Sequence, residues 1–154
     1  MRFSIATAFA LIAASSLHAQ TAAPVLDLST AAPIAGSWFY SQTPGASEAS
    51  FLNASALPQL TIRCTRATRR VTISKPANRA VPFLTVWTSA QTRAVPASFS
   101  PATQRLSAEL AASDALLDAI AFSRGRFGVS VSGAAALVVP AWAESQRVIE
   151  DCRV

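Results

Sequence analysis

The sharpest pattern in this chain is the alternation over residues 59–65. Leu60, Ile62 and Cys64 fall on one side, and Thr61, Arg63 and Thr65 fall on the other. This is the period of a half-buried strand. Residues 70–74 repeat it with Val71 and Ile73 inward, after a short turn at Ala67 and Thr68. Together the two runs predict a hairpin with an arginine-lined outer face. Residues 126–132 alternate as cleanly, with Phe127, Val129 and Val131 facing the core. The aromatic run 36–41, bounded by turn formers, predicts a first strand, and 48–53 predicts its antiparallel return across the turn at Pro44 and Gly45. Residues 81–89 are apolar on both faces, as suits a central strand, and 92–95 pair back against them. Another short strand is expected at 136–139. The signal over 97–112 is mixed, because Leu106, Ala108 and Leu110 alternate while Ala and Glu favour helix. Strand is the reading adopted.

Two helices complete the pattern. Ser113 is placed to cap the first, Asp114 complements its dipole, and Leu116, Leu117 and Ile120 give it an apolar side. It should stop near Ser123, with Gly125 as the breaker. Pro140 suits the first turn of the second helix, along which Trp142, Ser145, Val148, Ile149 and Cys152 recur at helical spacing toward the core. The predicted fold class is α+β: mainly an antiparallel β sheet or sandwich, two short helices and one disulfide. Residues 36–154 form its single domain.

The disulfide is the expected bond between the chain's only two cysteines, Cys64 and Cys152. In an oxidising compartment such a pair fits one link, with two buried free thiols as the alternative. The link closes a loop of nearly ninety residues, worth roughly 4–5 kcal/mol in the chain-entropy picture. It would pin the terminal helix to the best strand.

Residues 1–19 read as an export leader: one arginine, an apolar stretch from about Phe3 to Ala14, then small residues and a cut after Ala19. The apolar stretch is short for a membrane span. An uncleaved anchor is the alternative, and no cysteine follows to carry a lipid. Residues 20–35 form a flexible lead-in, ordered only where Val25, Leu26 and Leu28 find a groove. The expected location is periplasmic or secreted, with no integral span once the leader is gone.

Composition narrows the chemistry. The single histidine, His18, lies in the leader, so the remaining chain has no imidazole for base catalysis, nucleophile activation or metal ligation. Bonded cysteines leave no thiolate. A non-enzyme without cofactor or metal is therefore expected. The formal net charge is +5. Residues 49–108 carry eight basic side chains and no acid, a stretch that can face an envelope protein or an anionic envelope polymer. Nucleic acid is a poor fit, because the aromatics do not interleave with the basic cluster.

Six arginines are the candidate contacts: Arg63, Arg66, Arg69 and Arg70 on the hairpin, and Arg124 and Arg126 in the turn 123–126. Arg124 and Arg126 can grip a carboxylate or phosphate, or be spent on Asp114, Asp118 or Glu150 within the fold. The hairpin arginines are either a docking patch or a solvated sheet face. Asp114 and Asp118, four residues apart, are also a formal carboxylate pair, read more simply as solvated helix acids. Ser89 with Lys75 is a formal nucleophile pair with no supporting spacing. Trp38, Trp87 and Trp142 are expected to be core or half-buried.

The order of Trp38, the run Leu60-Thr61-Ile62-Arg63-Cys64, Val71 to Ile73, Trp87 to Ser89, the run 127–133 and Cys152 resembles small periplasmic proteins of the type VI secretion-associated kind. More loosely, it resembles the invasion-associated locus B type. The resemblance covers residues 36–153 and implies a β-rich envelope domain with one disulfide and no catalytic motif. Residues 90–110 depart from the pattern. The functional expectation is a non-enzymatic binding or structural domain of the envelope. The alternative is an inhibitor of an exported hydrolase such as a lysozyme, and a small carboxylate hydrolase comes third.

Overall fold

The computed structural model describes residues 26–154. The leader 1–19, its cut after Ala19, and lead-in positions 20–25 lie outside the described residues. Among the described residues nine strands form one antiparallel sheet: β1 (Gly36–Thr43), β2 (Ala46–Asn53), β3 (Pro58–Thr65), β4 (Arg70–Pro76), β5 (Phe83–Trp87), β6 (Thr92–Ser100), β7 (Arg105–Ala111), β8 (Arg126–Val131) and β9 (Leu137–Pro140). Their order across the sheet is β1-β2-β3-β4-β7-β6-β5-β8-β9.

The sheet curls into a half-barrel, so the sandwich alternative is corrected to a single layer. The joint is β6. Its first part, up to Pro96, pairs with β5, and Ala97 to Ser100 pair with β7. Pro96 has no N–H to offer a ladder, so the strand changes partners where a donor is missing anyway. The curl brings the outer strands together at one end. The Ile34 N–H donates to the Val138 carbonyl at 2.9 Å, and Trp38 Nε1 donates to the Pro140 carbonyl at 2.8 Å.

The concave face carries the core. Leu60, Ile62, Val71, Ile73, Phe127 and Val129, all assigned inward from alternation, are fully buried. Residues 97–112 are extended as adopted, forming the end of β6, a turn, and β7.

Two helices fill the curl. In α1 (Ala115–Ala121), Leu116, Leu117 and Ile120 are buried. The cap is Asp114 and not Ser113, because its carboxylate accepts the Leu116 N–H at 2.8 Å. α2 (Ala143–Asp151) packs Val148 and Ile149 inward, each worth about 1.5–3 kcal/mol of apolar burial. Pro140 ends β9 and does not open α2. Trp142, at the N-cap, is 46% exposed, so it does not face the core as helical spacing along α2 predicted.

Cys64 and Cys152 are bonded, with their Cα atoms 5.4 Å apart. α2 is further tied to β1 by Tyr40. Its hydroxyl donates to Asp151 at 2.6 Å, and the Arg147 guanidinium lies 4.3 Å from its ring centre. No helix among the described residues is long and apolar enough to cross a membrane.

The described part of the lead-in lies on the convex face of β8 and β9. Gly128 makes this possible: a Cβ there would come within 2.6 Å of Leu26 and 3.6 Å of Leu28. Arg126 Nη1 donates to the Ala31 carbonyl and holds the segment down.

Candidate binding surface

The six candidate arginines separate once their partners are traced. Arg63 pairs with Glu48 at 3.2 Å, and Arg70 pairs with Glu109 at 3.3 Å. Arg66 donates to the Thr43 and Pro44 carbonyls and fastens the β1–β2 turn. Arg69, in the left-handed region at φ 51°, donates to the Arg153 carbonyl near the chain end. Arg126 holds the lead-in.

Register explains the hairpin. Glu48 stands opposite Arg63 across the β2–β3 ladder, and Glu109 stands opposite Thr72, beside Arg70, across β4–β7. Acids just outside the basic stretch are thereby folded onto it. Asp114, Asp118 and Glu150 are taken as well, the first by Arg93 at 2.7 Å and the other two by Arg153 at 2.7 and 3.3 Å. The formal carboxylate pair is thus split between two arginines.

Arg124 is different. It is exposed, and alone among the described arginines it makes no side-chain hydrogen bond, ion pair or aromatic contact. Its backbone is nevertheless fixed. The Arg124 N–H donates to Ser89 Oγ at 3.1 Å, and the Ser89 N–H donates to Ser123 Oγ at 3.0 Å. Ser123 Oγ in turn donates to the Arg126 carbonyl. Ser123 is buried and uses its hydroxyl both as donor and as acceptor, so the turn holds one shape. Gly125 supplies the left-handed φ of +73° at its tip.

Two exposed aromatic residues lie next to this turn in the fold. Phe122, which caps the end of α1, is 79% exposed. Trp142 comes alongside because the Ala141 N–H donates to the Gly125 carbonyl at 3.2 Å, and Gln146 Nε2 donates to the Ala121 carbonyl at 2.6 Å. The result is a rigid projection with two solvent-facing aromatic residues and one uncommitted guanidinium. Such a surface can stack on a planar or apolar group while pairing with a carboxylate or phosphate.

Sequence reasoning singled out Arg124 but missed Phe122. The available signal was its position two residues past Ile120, off the apolar stripe of Leu116, Leu117 and Ile120. Ser89 was considered only with Lys75. It instead braces the turn, and Lys75 lines a cavity that Ser89 does not share. Among the described residues no group of three or more His, Cys, Asp or Glu side chains is placed to hold a metal ion.

No family model, curated protein or solved structure matches this chain.

Proposed function

We propose that this chain is a non-enzymatic exported domain that binds another component of the cell envelope through Phe122, Arg124 and Trp142. The observation that carries the reading is the Ser89–Ser123–Arg126 hydrogen-bond chain, which holds an unpaired arginine beside a 79% exposed phenylalanine. A phenylalanine this exposed, set on a braced turn beside an unpaired arginine, is available to anchor a partner surface. The partner is a protein or polymer of the envelope with anionic groups next to a stacking surface. The disulfide favours an oxidising compartment, and the leader-like residues 1–19 and the resemblance in layout to small periplasmic proteins agree with that reading.

Binding assays on envelope extract and on purified cell-wall polymer test this. The double variant F122A/R124E is expected to lose the bound component, while R63E/R70E, on the internally paired hairpin, keeps it. Loss in the hairpin variant with retention in the turn variant would move the surface to the hairpin.

A second reading rests on the same projection. A stiff, cationic, aromatic turn fits the carboxylate-lined cleft of an exported hydrolase such as a lysozyme, which makes the domain an inhibitor. Inhibition by the wild type that R124E abolishes supports this reading; unchanged lysozyme activity removes it.

A further inference from the structure

Lys75 is the only lysine in the chain. It lies near the end of β4, opposite the buried Leu106 and on the same side of the strand as Val71 and Ile73. Alternation there calls for an apolar residue, and the chain places an ammonium. The group is half-buried, and its one protein acceptor is the Pro76 carbonyl at 3.3 Å. No carboxylate pairs with it among the described residues.

Around it opens a cavity of about 670 Å³, between the β4–β5 and β8–β9 loops. Val81 and Val131 form an apolar wall, Asn78 and Gln104 contribute amide side chains, and no acid lines it. Arg79 lies across the rim. Its Nη2 donates to the Ser132 carbonyl at 3.3 Å, in space left free because a Cβ on Gly133 would come within 2.7 Å of it.

Withdrawing an ammonium from water without a counter-charge is unfavourable. Burial pushes the Lys75 amine below its usual value, and the Arg105 guanidinium adds repulsion. An anion in the cavity removes that penalty. The lining sets its kind. The recessed ammonium, with the Arg79 guanidinium at the rim, holds an anionic head group, no lining residue belongs to a helix whose N-terminus would favour a dianion, and the apolar wall accepts a hydrocarbon body.

We propose that this cavity binds a small carboxylic acid, with its carboxylate on Lys75 Nζ, Arg79 at the rim, and its apolar part against Val81 and Val131. The site is independent of the aromatic turn.

Selective ¹³C labelling at lysine Cε tests it directly, because the whole chain then gives one lysine resonance. Titration of the disulfide-bonded protein with octanoate should shift that resonance saturably and raise the pH at which it titrates. Octanamide at the same concentrations should leave it unmoved. In K75M, octanoate should no longer perturb the backbone amide signals of Val81 and Val131, and R79Q should bind octanoate about tenfold more weakly. An unmoved lysine resonance, or an equal response to octanamide, overturns the proposal. An equal saturable response to inorganic phosphate overturns the carboxylate assignment.

Discussion

Asp114 shows how much one side chain can hold. Its carboxylate caps α1 through the Leu116 N–H and also pairs with Arg93 at 2.7 Å, joining helix to β6. Partial burial alone would raise its pKa. The hydrogen bonds from Arg93 and Leu116 outweigh that and hold it below the usual carboxylate range. A lowered folded value stabilises the fold above the unfolded value, and the contribution is lost as pH falls through the folded one. Loss of the cap in D114A should cost roughly 0.5–2 kcal/mol at neutral pH. Denaturation curves should also show a smaller loss of stability for the variant than for wild type as pH falls below about 4. An equal acid-side loss in both would show that Asp114 is not the group responsible.

Residue-scale roles were the least legible part of the sequence. The arginines at 63, 66, 69, 70 and 124 look alike in one dimension. Which are spent is decided by register and by carbonyls exposed at turns, and both exist only after folding.

At the scale of elements, period-two alternation located β3 and β4, where one face meets the core and the other is exposed or half-buried, and β8, whose outer face is covered by the lead-in. Its reading failed at the entrance to α2. Pro140 and Trp142 carry helix-start and core signals, yet Pro140 completes the β8–β9 ladder opposite Arg126. The Pro140 carbonyl is then claimed by Trp38, which leaves Trp142 outside the helix proper and facing solvent.

α2 is secured mainly by its end. The Cys64–Cys152 bond, 88 residues apart in sequence, fixes its last turn to β3, and the Tyr40–Asp151 hydrogen bond adds a second tie. Replacing both cysteines by alanine should cost roughly 2–5 kcal/mol. Hydrogen exchange should show α2 losing protection before β3 and β4 do. Uniform loss across all three would show that the bond stabilises the sheet as a whole and is not a local clamp.

At the scale of the molecule, an α+β domain was readable from the count and type of elements, but its closure was not. Whether nine strands stack as two sheets or curl as one depends on β6. That strand shares its length between β5 and β7 around Pro96, and no local pattern in it announces two partners. Strand register folds the flanking acids Glu48 and Glu109 onto the basic stretch. Of the eight basic side chains in that stretch, Arg63, Arg70 and Arg93 are ion-paired. Arg66, Arg69, Arg79 and Arg105 are spent on carbonyls or hydroxyls, and Lys75 faces its cavity. The uncommitted guanidinium stands at the turn between α1 and β8.

The central claim is that this turn is where the molecule meets its partner. A photoreactive phenylalanine analogue placed at position 122, in the chain expressed in its own cells, tests the claim most directly. The account predicts a discrete cross-linked product from position 122 that R124E suppresses, and none from the same analogue at position 63. A product from position 63 with none from position 122 would contradict it.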